Sequence, residues 1–260
     1  KYGCETVMLH VPYQGEGKIA PNMRDYVVNQ LKETVIPTLE RISGVKFDID
    51  RLRQYMRESV KAEENLVAVL QSAKHRPSPI DGYFGAVYYI GPIFTAFRGT
   101  PEATEFYDEG AVVVASTYAK VGGLYDFGFR HDPDHPLESL AEYCLGCYTN
   151  LNLPSRVDMI CKYIDEYQAD GLLINSIKSC NSFSAGQLLM MREVEKRTGK
   201  PAAFIETDLV DPRYFSAANV KNRLESYFQM VKAKRGAAGA GLSVPMASLG
   251  PSVIPIAPAH

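Results

Sequence analysis

A single cysteine, Cys180, occupies a short polar loop between an apolar run and a segment with helical periodicity that starts near Ser184. If the run is a strand of a parallel sheet, the loop lies beyond its carboxyl end, where such sheets bind ligands. The first N–H groups of the following helix favour negative charge there, and a thiol in such a setting ionises readily. A thiolate can ligate a metal or attack an electrophile. Cys180 is therefore a candidate functional residue, and an unreactive loop cysteine is the alternative.

One further pair of cysteines has the spacing of metal ligands, Cys144 and Cys147 in CLGC. A C-x2-C spacing suits zinc or an iron–sulfur cluster. The pair ends a predicted helix, however, and no second pair completes a set of four ligands. Two interpretations stay open. The favoured one packs both thiols against the sheet beside Leu140, and the other joins them to Cys180 in one metal site.

Two polar clusters are further candidates. The segment HDPDHP at 131–136 could bind a metal or pass protons, although a Pro-bounded turn that caps the next helix is favoured. Asp208 and Asp211 follow a predicted strand at the same edge as Cys180. They could orient the Cys180 loop or bind a ligand, although capping and turn formation are favoured. Cys4 and Cys161 are predicted to pack in the interior.

Composition restricts the class of protein. The 260 residues are 46% hydrophobic and 22% charged, as in an ordinary globular protein. A net charge of −2 and a pI near 6.3 do not indicate nucleic-acid binding, and no apolar run reaches the roughly 18 residues that cross a bilayer. Five irregularly spaced cysteines indicate a reducing, cytoplasmic compartment. No Walker A, G-x-G-x-x-G, H-E-x-x-H or G-x-S-x-G motif supports nucleotide or serine hydrolysis.

The elements that must position these residues alternate between strands and helices. Strands are predicted at 7–11, 110–117, 171–176 and 202–207, and helices at 22–44, 47–73, 83–98, 136–148, 154–168, 184–199 and 216–235. The order from Ala111 onward predicts an α/β fold with a parallel sheet and covering helices. The strand near 7–11 could join this sheet, which makes 22–98 a helical insertion. Residues 236–260, rich in Gly, Ala and Pro, are predicted to form an irregular tail.

Local signals predict the ends of the first two helices. Pro37 should kink or divide the first helix, since proline lacks an N–H and crowds the preceding turn. Gly44 should end it, and Asp48 or Asp50 should begin the second. These signals fix helix ends but not how the helices pack.

Longer stretches of the chain resemble one protein family. The stretches are FRGTPEATEFYDE, FGFRHDPDHPLESLAEYCLG and a long segment that begins ADGLLINSIKSCNSFSAGQ. The most specific parts of the last are SCNSFSAGQ, NRLESYFQM and the pattern E-x-D-x-x-D-x-R formed by Glu206, Asp208, Asp211 and Arg213. From about Val7 to Met230 the chain resembles the benzoyl-CoA reductase and 2-hydroxyacyl-CoA dehydratase family. Within it, the chain is most similar to cluster-carrying subunits of the ATP-dependent reductases.

The resemblance implies a fold, a cofactor and a reaction. Family members have two Rossmann-like lobes with a [4Fe-4S] cluster between them, near a CoA-thioester substrate. Cysteines from both lobes hold the cluster, and Cys180 matches the one from the C-terminal lobe. The implied reaction is ATP-dependent reduction of an aromatic acyl-CoA to a cyclic diene, with ATP used by a partner module. The alternative is a 2-hydroxyacyl-CoA dehydratase subunit, which eliminates water through a ketyl radical.

Candidate substrate contacts lie in and beside the matched loop. They are Lys178, Ser179, Asn181, Ser182 and Gln187. A lysine suits a CoA phosphate, although plain solvent exposure is the favoured interpretation of this one. The aromatic residues of 118–129 could line an acyl pocket, and packing is an equal alternative.

The chain departs from the family pattern in one large respect. Residues 1–235 resemble the C-terminal lobe, and the other lobe has no counterpart ahead of Lys1. Either the sequence is a fragment, which is favoured, or Cys144 and Cys147 replace the missing ligands. The expected partners are a homologous cluster-carrying subunit and an ATP-hydrolysing module. A different class also stays open, a scaffold lobe in which Cys180 holds no metal.

Overall fold

The computed structural model describes residues 5–13, 19–79, 114–115, 117, 131–208, 210–214 and 216–239. Within these residues the strands are β1 (Leu172–Ile177) and β2 (Ala202–Thr207). The α-helices are α1 (Pro21–Gln30), α2 (Ile36–Ser43), α3 (Ile49–Ser72), α4 (Pro136–Leu145), α5 (Leu153–Glu166), α6 (Asn181–Ser184), α7 (Gln187–Thr198) and α8 (Ala217–Gly239). Short 3-10 helices lie at Tyr148–Asn150 and Pro212–Tyr214. In this described part of the chain, no helix has the length and apolar character needed to cross a membrane.

β1 and β2 form a parallel pair between two layers of helices. Their register joins Leu172 to Ala202 and Ile177 to Thr207. On one face, Ile174 packs with side chains of α5 and α7. On the other face, Ile205 packs with side chains of α8. Helices thus cover both faces of the pair, as parallel strands require, and the α/β class and parallel pairing agree with the prediction.

Local sequence signals set several helix ends. The Asp48 carboxylate begins α3 by accepting hydrogen bonds from two N–H groups of the first turn, at 2.9 and 3.1 Å. Gly44 ends α2 with φ of 70°, a left-handed conformation that costs glycine little. Asn152 begins α5 by accepting a hydrogen bond from the Ser155 N–H at 2.9 Å. The predictions at Gly44 and Asp48 are confirmed.

The first helical region is interrupted near Pro37, as predicted. A π-helical segment, Leu31–Val35, separates α1 from α2, and the Ile36 N–H donates to the Leu31 carbonyl five residues back. Proline has no N–H to donate, and its ring crowds the turn before it. The wider hydrogen-bond spacing of the π segment accommodates both effects without ending the helical course.

The predicted strand near 7–11 is wrong. Residues 5–13 form an irregular segment that pairs with no strand of the described residues. The Gln30 side chain binds both backbone groups of His10, accepting from its N–H at 2.9 Å and donating to its carbonyl at 2.8 Å. Leu9 and Val11 pack on the cluster that joins α1 to α4. The apolar run therefore reflects packing on helices, which a short hydrophobic run does not distinguish from a buried strand.

Several predicted elements lie outside the described residues. They are the helix at 83–98, the aromatic segment at 118–129 and the tail from 240 onward. Of the predicted strand at 110–117, only Val114, Ala115 and Thr117 are described, and they belong to no strand. The last helix extends to Gly239, four residues past its predicted end. The helical insertion and the domain boundaries stay predictions.

Candidate functional site

The carboxyl ends of β1 and β2 place two polar loops side by side. The first loop is Lys178–Cys180, and the second begins at Asp208. The N–H of Lys178 donates to the carbonyl of Thr207 at 3.0 Å, so pairing continues one residue past β1. The N–H of Cys180 then donates back to the carbonyl of Ile177 at 3.1 Å. These bonds turn the chain at the edge of the sheet and leave Cys180 half-buried.

The carboxylate of Asp208 joins the two loops. Its Oδ2 accepts the Ser179 N–H at 2.7 Å, while its Oδ1 accepts the N–H groups of Val210 and Asp211 at 2.8 and 3.0 Å. The bonds from Val210 and Asp211 are the main reason that the pKa of Asp208 lies below its ordinary value, and Ser179 adds to them. Asp208 thus forms its own turn, which was the favoured interpretation, and it also contacts the Cys180 loop directly.

The charged side chains at this edge pair with one another. Lys178 Nζ lies 3.4 Å from Glu206 Oε1 and 4.8 Å from the centre of the Tyr214 ring. Arg213 donates bidentate hydrogen bonds to Asp211, from Nε to Oδ1 and from Nη2 to Oδ2. These bonds hold the pKa of the Asp211 carboxyl below its usual range. A ligand phosphate at Lys178 therefore has to compete with Glu206.

The helix after Cys180 differs from the prediction of one continuous helix from about Ser184. Cys180 is the residue before α6, which has only four residues, and α7 begins after a break at Gly186. Gly186 has φ of 75°, which interrupts the helical course. A macrodipole grows with aligned peptide units, so the four-residue α6 offers Cys180 less electrostatic support than a long helix would.

The candidate contact residues differ in exposure. Ser179 and Asn181 are exposed, whereas Gln187 is only 6% exposed. The Oε1 atom of Gln187 is buried, and none of the described residues donates a hydrogen bond to it. The side chain of Ser182 lies outside the described residues. A buried acceptor without a donor is unfavourable, so a ligand that donates a hydrogen bond to Gln187 Oε1 would remove this cost.

Cys144 and Cys147 do not share one environment. Cys144 is half-buried in the last turn of α4, and burial is the main cause that raises the pKa of its thiol. Cys147 is exposed beyond the helix, with its Sγ 3.3 Å from the Thr149 hydroxyl. The expectation that both thiols face the sheet is wrong at Cys147, because Gly146 ends the helix between them. Cys161 is buried, as predicted, and Cys4 lies outside the described residues.

The described residues do not form a complete metal site. Among them, no group of three or more His, Cys, Asp or Glu side chains is placed to hold a metal ion. A combined site of Cys144, Cys147 and Cys180 is therefore not formed, although α6 contacts the 3-10 helix that follows Cys147. A half-buried loop thiol fits one ligand of an iron–sulfur cluster. A cluster with three or more protein ligands at Cys180 therefore needs at least one of them from outside the described residues.

The HDPDHP segment is a turn before α4. His135 Nδ1 lies 2.8 Å from Asp132 Oδ2, and the Asp132 N–H donates to the Ser139 hydroxyl at 2.6 Å. Pro136 begins the helix, where a missing N–H costs nothing. These contacts support the favoured interpretation of a Pro-bounded turn.

Sequence reasoning missed Arg156. This side chain is 8% exposed, and it donates to the carbonyls of Leu151 at 2.9 Å and Thr149 at 2.7 Å. Its guanidinium lies 5.2 Å from the centre of the Tyr148 ring. Arg156 thus ties α5 to the 3-10 helix, which in turn contacts α6. The available signal was an arginine on the otherwise apolar face of α5.

Comparison with known proteins identifies one family. The family described as 2-hydroxyglutaryl-CoA dehydratase, D-component, matches residues 1–110 and 107–231. The chain is 64% identical to one of the subunits of benzoyl-CoA reductase from Thauera aromatica over 288 aligned positions, which cover 92% of this chain and 67% of that protein. The alignment is longer than the 260 residues of the chain, so the relative has residues at positions where this chain has none.

More distant relatives are dehydratase subunits. The chain is 24% identical over 269 positions to the (R)-phenyllactyl-CoA dehydratase alpha subunit of Clostridium sporogenes, covering 89% of this chain and 65% of that protein. It is also 24% identical over 270 positions to the (R)-2-hydroxyglutaryl-CoA dehydratase alpha subunit of Acidaminococcus fermentans, covering 90% and 56%. The chain thus spans between just over half and about two thirds of the length of these relatives.

Proposed function

Because this chain belongs to the 2-hydroxyglutaryl-CoA dehydratase, D-component family, we propose that it is a subunit of an ATP-dependent benzoyl-CoA reductase. The observation that carries the proposal is its 64% identity to the Thauera aromatica reductase subunit, against 24% to the two dehydratase subunits. The reaction adds electrons and protons to the aromatic ring of a CoA thioester and yields a cyclic diene.

In this proposal Cys180 is one thiolate ligand of a [4Fe-4S] cluster. When bound, such a cluster supplies electrons at the low potential that reduction of an aromatic ring requires. The contribution of the chain's own residues is to place the thiol. The N–H groups of Lys178, Ser179 and Cys180 each have an acceptor at the sheet edge, which supports a well-defined position for the Cys180 side chain.

The same loop and the helix starts that follow it are the proposed thioester contact. Gln187 is the first candidate, since its Oε1 is buried and no described residue donates a hydrogen bond to it. The exposed Ser179 and Asn181 can reach a ligand in solvent, and Ser182 is the remaining candidate of the set. Lys178 is the proposed phosphate contact, with Glu206 as its competitor at 3.4 Å.

The proposal extends to architecture and partners. In this proposal residues 1–235 form a Rossmann-like lobe. The parallel pair of β1 and β2 with helices on both faces is the observation that supports it. The proposed partners are a homologous cluster-carrying subunit, consistent with the subunit names of the relatives, and an ATP-hydrolysing module. The sequence printed here has no Walker A motif, which supports ATP hydrolysis on a separate module.

The dehydratase function is the second candidate, and the shared family favours it over unrelated activities. The two differ in substrate, so anaerobic assays of the full complex with ATP and a strong reductant separate them. The proposed outcome is turnover of benzoyl-CoA and none of 2-hydroxyacyl-CoA thioesters. Turnover of only the 2-hydroxyacyl substrates refutes the reductase assignment.

The cluster role is tested by Cys180→Ser in the full complex, purified without oxygen. The expected result is that the complex loses the iron and the electron paramagnetic resonance signal of this one cluster, while the partner subunit's cluster stays. Cys147→Ser is the matched control, because its thiol is exposed at the neighbouring segment, and it should keep both. If Cys180→Ser keeps its iron while Cys147→Ser loses it, the cluster belongs to the C-x2-C pair. If both variants keep it, the chain is a scaffold lobe.

A further inference from the structure

Among the described residues, the Asp208 side chain makes hydrogen bonds within both loops at the carboxyl edge. Three successive N–H groups, from Lys178 to Cys180, are hydrogen-bonded, and the acceptors for Lys178 and Cys180 are backbone carbonyls. The acceptor for Ser179 is the Asp208 carboxylate at 2.7 Å, from the loop after the neighbouring strand. Asp208 is therefore the side-chain link between the end of β2 and the residue beside Cys180.

We infer that Asp208 is a positioning residue, which sets the place of the Cys180 thiol by holding the Ser179 N–H. The effect of Asp208 on a cluster rests on the proposed function. Its effect on the position of the Cys180 loop does not. Because the thiol belongs to the next residue, a shift of the Ser179 peptide moves Cys180 relative to the sheet edge. A displaced thiolate changes the ligand geometry, and with it the spectrum and potential of a bound cluster.

The geometry explains why an aspartate is suited to this role. Both carboxylate oxygens are used, Oδ2 toward the Cys180 loop and Oδ1 toward the N–H groups of Val210 and Asp211. Asparagine has one carbonyl oxygen, so an amide nitrogen then faces N–H groups on one side. Asparagine at 208 can serve only one of the two sides. Its own turn presents two N–H groups and the Cys180 loop presents one, so the single carbonyl oxygen should stay with the turn and release Ser179, whereas a carboxylate holds both.

Asp211 offers a matched control in the same loop. It is half-buried as Asp208 is, but its carboxylate binds Arg213, with no hydrogen bond to the Cys180 loop among the described residues. Asp211→Asn therefore removes a similar charge from the same edge without releasing Ser179. A difference between the two variants reports on the link and not on the charge.

The first measurement is hydrogen exchange of the full subunit in its complex, which does not depend on the cluster. Asp208→Asn should speed exchange in the peptide containing Ser179 and Cys180 by about tenfold, since a hydrogen bond to a charged acceptor is lost, and Asp211→Asn should change it less than about twofold. Asp208→Glu, which keeps both oxygens, should recover part of the protection. Equal exchange in both Asn variants overturns the inference.

The second measurement is the cluster's paramagnetic signal and midpoint potential at equal iron content. Both should change in Asp208→Asn and stay as in the wild type in Asp211→Asn. If exchange at Ser179 rises but the signal and potential are unchanged, Asp208 does not position a cluster ligand and the inference fails.

If Cys180→Ser keeps its iron, the proposed function fails instead, and the exchange result still decides whether Asp208 holds the loop. Should Asp208→Asn not fold, Asp208→Glu is compared with Asp211→Glu. The longer side chain displaces the carboxylate, so exchange at Ser179 should rise in Asp208→Glu only, and equal exchange in the two variants overturns the inference.

Discussion

Replacement of Gly171 by alanine should destabilise the strand pair at the end opposite the candidate site. A methyl group at this position would lie 2.4 Å from the Tyr227 hydroxyl and 2.8 Å from the Pro201 carbonyl oxygen. Relative to ordinary contact, these distances are short by about 1 Å and about 0.6 Å. The Pro201 oxygen cannot move away without cost, because it accepts a hydrogen bond from the Leu172 N–H at 3.0 Å. This bond lies at the start of the β1–β2 ladder.

The expected loss of stability follows from these two clashes. Overpacking of this kind costs about 1–3 kcal/mol, and a change of 1 kcal/mol moves the melting temperature by about 2–4 °C in a chain of this size. Gly236→Ala is the control, because its added Cβ meets nothing within 4 Å and its helical position favours alanine. Adding Tyr227→Phe should recover part of the loss, since it removes the nearer oxygen and leaves Pro201.

Thermal unfolding of the variants, alone and combined, measures these changes. β1 spans about 20 Å at roughly 3.3 Å per residue, so the Cys180 loop is remote from the clash and the iron content of Gly171→Ala should match the wild type. A melting temperature equal to that of Gly236→Ala, or no gain from Tyr227→Phe, contradicts the close approach of Gly171 to α8. Loss of iron with unchanged stability contradicts the separation of the two ends.

Three further results are expected. Asp48→Ala should lower the free energy of unfolding by about 1 kcal/mol through loss of the α3 cap, seen as a lower denaturant midpoint with unchanged slope. The Asp132 hydrogen bond raises the pKa of His135 and lowers that of Asp132, so their pairing should stabilise the fold between the ordinary pKa values of the two groups. That contribution should fade as pH rises through the pKa of His135 or falls through that of Asp132, and Asp132→Asn should flatten the pH profile of the melting temperature. Alkylation followed by mass spectrometry should modify Cys147 faster than Cys144, and equal rates contradict their difference in exposure.

Much of the local structure follows from the sequence. Both strands were predicted from short apolar runs, and the observed bounds differ from the predicted ones by at most one residue. The ends of α2 and α3 followed from Gly44 and Asp48, because a left-handed glycine and a capping carboxylate act within one turn. The position of Cys180 beyond β1 was predictable for the same reason, since strand and loop are contiguous in the chain.

Other features required tertiary structure. The run at 7–11 is apolar like a short buried strand, but the side chain of Gln30, distant in sequence, binds the backbone of His10. The C-x2-C pair has metal-ligand spacing, yet the end of α4 leaves Cys147 in solvent and Cys144 half-buried.

The sequence by itself determined the family, the α/β class and the candidate thiol, because these depend on contiguous patterns. Only the tertiary structure decided that Asp208 holds Ser179 and that Gln187 is buried with an oxygen to which no described residue donates. The Asp208 contact joins residues 29 apart in the chain, and it exists only because the β1–β2 register brings two strand ends together. A hydrogen bond between distant residues depends on that register, which no local pattern encodes.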